Sequence, residues 1–197
     1  MKTVKILTFF LVILIIFSGC KKDKDNGDET YDYYIKYDGK MYPLDKGAIE
    51  NYGHYYVDDS YNLDLWFLSE GLNMIEINGE WDHESGTGHI VYFIMNTNSP
   101  SQIDNGNYVY DEDLTYDAGT FKYGDFTLNY DADHNTWETY KSFTDGTLTV
   151  SKSGDVYEIT FNCTDEDGKN VTGYYKGTLK YYDYDQNKST KTKKRKF

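Results

Sequence analysis

Hydrophobic and polar positions along this chain alternate in short runs cut by Gly, Asn and Asp. Tyr61, Leu63, Leu65 and Phe67 alternate with Asn62 and Asp64, the period-two pattern of a half-buried strand. Trp66 falls on the opposite parity, so either both faces of that strand are covered or Trp66 is displayed. Residues 33–37 and 40–42 flank Asp38-Gly39, a pair suited to the type I′ turn of a hairpin. Residues 74–77 form a shorter run that ends at Asn78-Gly79. Residues 89–95 are apolar on both parities, as expected of a central strand. Residues 108–110, 126–130 and 137–143 read as further strands.

The C-terminal part is a meander. Residues 146–152, 155–163 and 169–183 are separated by Ser153-Gly154 and by Asp165-Glu166-Asp167-Gly168. In the middle strand Tyr157, Ile159, Phe161 and Cys163 share one face, and Val156, Glu158, Thr160 and Asn162 share the other. One face is therefore core and the other wet. No helix of ordinary length is predicted after residue 30. Turns recur every 8–12 residues or so. The predicted class is all-β: an antiparallel sandwich, or a partly closed up-and-down, calycin-like barrel of about 8–10 strands.

The N-terminus has a different pattern. Lys2 and Lys5 precede residues 6–17, an apolar run broken only by Thr8. Twelve helical residues span about 18 Å, short of a hydrocarbon core of about 30 Å. This is a signal-peptide apolar region rather than a membrane-spanning helix. Phe17-Ser18-Gly19-Cys20 follows at once. The tetrapeptide resembles the lipobox of bacterial lipoproteins, which implies cleavage before Cys20, diacylglycerol on its sulfur and acylation of the new terminus. An anchor of two or more acyl chains is stable where one is marginal. The expected organisation is a signal peptide over residues 1–19, acylated Cys20 with a charged tether to residue 29, one β domain over 30–186, and a basic disordered tail over 187–197.

Further resemblance lies in Tyr37-Asp38-Gly39-Lys40-Met41-Tyr42-Pro43-Leu44, Gly106-Asn107-Tyr108, and Gly173-Tyr174-Tyr175-Lys176-Gly177 with Leu179 and Tyr181. These are similar to motifs of the small β-rich surface lipoproteins common in Bacteroidota. They are motifs of fold, and the resemblance implies no particular activity. Asp23 and Asp25, interrupted by Lys24, loosely match the acidic export signal of such proteins. That implies an outer-membrane anchor facing the cell exterior, with a periplasm-facing anchor as the alternative.

Charge narrows the partners. The chain has 197 residues and a formal net charge of -13. Residues 47–121 contain 14 Asp and Glu and no Lys or Arg. A surface of that sign excludes the phosphate backbone of nucleic acid. The tail reverses it with Lys188, Lys191, Lys193, Lys194, Arg195 and Lys196, which suits anionic headgroups or the chain's own acidic domain.

Candidate chemistry is sparse. Asp131, Asp133 and Asn135 have the first three spacings of a calcium loop, yet Thr136 and Ser142 stand where such a loop needs Gly and Glu. Calcium is still the cation suited to this run, and to Asp111-Glu112-Asp113 and Asp165-Glu166-Asp167. His83 and His89, across Ser85-Gly86-Thr87-Gly88, read as surface histidines on a turn; with Asp82 and Glu84 they are also the zinc alternative. No nucleophile elbow is present. Cys163 falls on an apolar face, as a small buried hydrophobe does. Glu76, Glu80 and Glu138 lie in or beside apolar segments and are the first acids to test for glycoside hydrolysis. Trp66, Trp81 and Trp137 are either core residues or a platform for sugar rings. The expectation is a non-enzymatic, lipid-anchored domain that binds a glycan, a cationic peptide or a protein. A structural subunit of a surface complex is the alternative.

Overall fold

The computed structural model describes residues 30–185, which form eleven strands and no helix. They are β1 (Tyr34–Tyr37), β2 (Lys40–Pro43), β3 (Lys46–Gly53), β4 (Tyr61–Leu68), β5 (Leu72–Ile77), β6 (Glu80–Thr97), β7 (Gly106–Tyr110), β8 (Thr120–Asp131), β9 (Thr139–Ser153), β10 (Val156–Asp165) and β11 (Asn170–Asp183). The lipobox with Cys20, the tether and the basic tail lie outside the described residues.

Eight strands close a barrel in the order β10-β9-β7-β8-β6-β4-β3-β11, and β10 pairs with β11 to complete the ring. Short β7 is wedged between β8 and β9, which pair directly with each other beyond it. The β1–β2 hairpin continues the wall along the first half of β11, and β3 takes over along the second half. Strand β5 pairs only with the first half of β6, so this hairpin stands off the barrel.

The turn chemistry follows from the sequence. Asp38 and Gly39 both have positive φ, 50° and 79°, as a type I′ turn requires. Asn78 and Gly79, at 57° and 84°, make the same turn between β5 and β6.

The barrel is filled, not hollow. Leu63, Leu65 and Phe67 of β4, Val91, Phe93 and Met95 of β6, and Tyr157, Ile159, Phe161 and Cys163 of β10 all point inward and are buried. Aromatic rings from different walls meet in the middle. Phe93 lies 5.1 Å from Phe143 and 5.4 Å from Phe161 between ring centroids. Phe161 packs on Gly173, its cross-strand partner, in the space a larger residue's Cβ would need. Cys163 is free, and burial pushes its thiol up to about 12. That removes it from nucleophilic chemistry near neutral pH.

Several sequence expectations change. Two pairings are parallel, β3 with β11 and β7 with β8, so the barrel is not a purely antiparallel up-and-down ring. Strand β3 was not expected at all. The turn expected over residues 85–88 is the middle of the continuous strand β6, which bends at Gly86, where φ is 88° and the Gly71 carbonyl leaves no room for a side chain. The separate runs 137–143 and 146–152 are one strand, β9, which starts at Thr139. Strand β8 starts at Thr120, six residues ahead of the expected run, and passes through Gly124 under the rings of Phe93 and Phe143.

Candidate functional site

A second apolar cluster lies on the outside of the barrel. It is built from the residues of alternate parity on the same strands. Cross-strand register sets Ala48, Trp66, Tyr92 and Asp125 in one row across β3, β4, β6 and β8. Leu68, Ile90, Thr127 and Tyr140 form the neighbouring row across β4, β6, β8 and β9. The β5–β6 hairpin folds over these rows, and Trp81 packs edge-on to Trp66 at 5.3 Å between centroids.

Between hairpin and barrel wall is a cavity of about 800 Å³. That is the size of a pocket for a whole small molecule. Trp66, Trp81 and Tyr92 form its floor, and Trp137, Tyr184 and Ile77 stand at its mouth. All three tryptophans therefore meet at one place. Trp66 is 6% exposed, Trp81 3% and Trp137 50%. Both faces of β4 are covered, the first of the two alternatives the sequence posed, and Trp66 is buried where it borders the cavity.

Polar groups are threaded through this apolar surface. Trp66 Nε1 donates to Glu50 Oε2 at 2.8 Å, deep in the wall, where Glu50 is 1% exposed. The Tyr92 hydroxyl donates to Asp64 Oδ2 at 2.6 Å, and Asn62 Nδ2 donates to Asp64 Oδ1 at 3.1 Å. Trp81 Nε1 donates to the His83 carbonyl at 3.1 Å. The Tyr184 hydroxyl donates to the Trp81 carbonyl at 2.9 Å, tying the end of the domain to the hairpin. The Tyr140 hydroxyl donates to Asp125 Oδ2 at 3.3 Å. Burial pushes the Asp125 carboxyl up to about 7, against the smaller opposing effect of that hydrogen bond.

Of the cation and catalytic candidates, Glu80, Asp82, His83, Glu84 and Asn135 line the cavity and the others lie elsewhere. Asp131 Oδ1 accepts the amides of Asp133 and His134, each at 3.1 Å, and its Oδ2 meets His134 Nδ1 at 3.0 Å. Asn135 lines the cavity on the far side of the same turn. The carboxylates of Asp111 and Asp165 likewise accept backbone amides of their own loops. His83 contacts Asp82 at 3.0 Å, whereas His89 packs edge-on against Tyr42 and accepts the Asn129 amide at 3.1 Å. Burial lowers the pKa of His89. Among the described residues no three or more His, Cys, Asp or Glu side chains are arranged to hold a metal ion.

Of the three glutamates, Glu80 lines the cavity. Glu76 is engaged by Lys180 and by the Tyr182 hydroxyl, which hold its pKa below the usual range. Glu138 bonds to Asn129 on the surface. Sequence reasoning missed Glu50 and Asp125, which line the cavity from β3, a strand the sequence did not predict, and from the part of β8 ahead of the expected run. Three strand spacings, about 14 Å, separate their backbones, and the Glu50 carboxylate reaches over β4 to Trp66. The aromatic lining suits non-covalent capture of a ligand.

No family model, curated protein or solved structure matches this chain.

Proposed function

We propose that this chain is a lipid-anchored outer-membrane lipoprotein whose β domain binds a small ligand, without chemistry, in the aromatic cavity beneath the β5–β6 hairpin. The observation that carries this reading is the convergence of Trp66, Trp81 and Trp137 on one cavity of about 800 Å³. Solvent-filled apolar walls of that size gain free energy when a ligand displaces their water. The interior of the barrel is packed with side chains, so the outer wall is where a ligand has room. Anchoring through Cys20 and display toward the cell exterior belong to the same proposal and rest on the lipobox.

Two experiments test it. Tryptophan emission of the folded domain is followed while small-molecule pools are added, and Trp137→Ala is the control. A saturable change in the parent that is lost in the variant supports capture at this cavity. Emission that no pool changes argues against it. Separately, Cys20→Ser should release the chain from the membrane fraction or leave it unprocessed. Unchanged detergent partitioning would remove the lipid anchor from the reading.

A further inference from the structure

Resting on the proposed ligand site, we infer that the cavity selects an organic cation: an alkylammonium group seated against the aromatic wall of Trp66, Trp81 and Tyr92, with half-exposed Trp137 beside it. Three features of the site support this.

The first is the sign of the lining. Glu50, Glu80, Asp82, Glu84 and Asp125 line the cavity, and the lining residues include no Lys or Arg among the described residues. An anionic ligand would enter against five carboxyl groups. A cation is attracted by those that are ionised, which Asp125, pushed up to about 7 by burial, becomes fully only above neutral pH, and the apolar walls reduce the screening of that attraction.

The second is the commitment of the hydrogen-bond donors. The indole N–H groups of Trp66 and Trp81 and the hydroxyls of Tyr92, Tyr140 and Tyr184 all donate to protein oxygens. A sugar carries a ring of hydroxyl oxygens and needs donors from its site as well as acceptors. These five side chains have turned their donors into the protein and present ring faces and carboxylate-backed surface. Apart from side chains such as Asn78, Thr127 and Asn135, the aromatic lining thus offers a ligand few donors, and a ligand that brings positive charge needs few.

The third is ring geometry. Trp66 stands edge-on to Trp81 at 71° and 5.3 Å, and tilted to Tyr92 at 33° and 4.1 Å. Trp66 and Tyr92 cover one another and Trp81 meets Trp66 edge-on, so the rings form a packed aromatic wall rather than a flat platform for sugar rings. An aromatic wall backed by carboxylates attracts an ammonium through the ring quadrupoles. Trp66 is the ring that Glu50 holds by its N–H, so the acid sits at the rim of that wall.

The test uses the folded protein and three probes by calorimetry and tryptophan emission. Choline carries the trimethylammonium head. Its carbon isostere 3,3-dimethylbutan-1-ol has the same shape without charge, and methyl glucoside is a neutral sugar. Choline should bind at least about ten-fold more tightly than the isostere, a ratio within the range of cation–π and carboxylate attraction. Its affinity should fall with added salt. At pH 8, where Asp125 is ionised, Trp137→Ala at the mouth and Asp125→Asn on the wall should each weaken choline several-fold and leave the isostere nearly unchanged in the second case. Equal binding of choline and isostere would overturn the cation inference but keep an apolar ligand site. Binding of methyl glucoside alone would overturn it in favour of a sugar. Binding of none of the three, with the protein shown folded by its near-ultraviolet circular dichroism, would count against both the cation and the small-ligand reading.

Discussion

The inner and outer faces of one set of strands solve different problems. Inside the barrel, alternate residues of β4, β6 and β10 meet as Leu, Val, Ile, Met and Phe, close-packed around Phe93, Phe143 and Phe161. Outside, the intervening residues of β4 and β6 are Asp64, Trp66, Ile90 and Tyr92, covered by a hairpin that leaves a cavity. The inner face is mainly close-packed apolar side chains, with Tyr108 and Tyr175 donating their hydroxyls to backbone carbonyls. The outer face combines apolar area with buried hydrogen bonds such as Trp66 to Glu50 and Tyr92 to Asp64. Amphipathic rings make this possible, because Trp and Tyr bury a large apolar body while keeping one polar atom paired. The comparison separates what holds the fold from what is available to a ligand.

The largest effect should come from the inner face. Phe161→Ala should cost about 3–5 kcal/mol, as removal of a buried Phe does, whereas Thr160→Ala on the wet parity should stay within about 0.5 kcal/mol. Equal shifts of their urea midpoints would show that the two faces of β10 are not distinct.

Next comes the outer floor. Trp81→Ala removes a ring that packs on Trp66 and Tyr182. It should cost about 2–4 kcal/mol, since one side of the ring already borders a cavity. Amide exchange should quicken in residues 72–86 and remain slow in β10 and the second half of β6. Uniform acceleration across both would mean that the hairpin and barrel unfold as one unit and that the comparison is too sharp.

A smaller effect concerns Asp125. Its carboxyl is pushed up to about 7 by burial, above the usual range for Asp, so the native state holds a proton that the unfolded chain releases. The stabilisation is complete below the unfolded pKa of about 3.9 and is lost as pH rises through about 7. Asp125→Asn should therefore leave stability near pH 4 almost unchanged and raise it at pH 8. The gain should be on the order of 2 kcal/mol, reduced from the full linkage value by the partial solvation of the site. Urea titrations at the two pH values decide it, and a variant less stable than the parent at pH 8 would contradict the burial argument.

The smallest stability effect should be at the mouth. Trp137 is half exposed, and Trp137→Ala should change stability by no more than about 0.5 kcal/mol. A variant that lost several kcal/mol would make Trp137 a structural residue rather than a free wall of the cavity.

Residue by residue, the sequence was most readable where one face is wet. Strand β10 has its buried Tyr157, Ile159, Phe161 and Cys163 on one parity and Thr160 and Asn162 exposed on the other, so period two could be seen. It was least readable where both faces are covered. Strand β3 buries Gly47 through Asn51 without a break, and two of those residues are Glu50 and Asn51. A buried polar residue paired to a distant partner looks like a solvated one until that partner is known. Asp125 was hidden because it lies in β8 ahead of the run expected from residue 126. The glycines of β6 looked like a turn because a strand that bends and a chain that reverses need the same backbone freedom at Gly86.

Local chemistry alone determined the strand class, the type I′ turn at Asp38-Gly39, the inward face of the C-terminal meander and the acidic character of the domain. Each of these rests on neighbours in sequence: parity, a dipeptide, or summed charge. Only the tertiary structure decided that the sheet closes into a filled barrel, that β3 and β11 meet in parallel, and that three tryptophans from β4, β6 and the loop before β9 share one cavity. Those facts depend on register between strands far apart in the chain. A shift of one residue would turn Trp66 into the barrel and Leu65 out of it, and the burial of both faces at once is what holds the register in place.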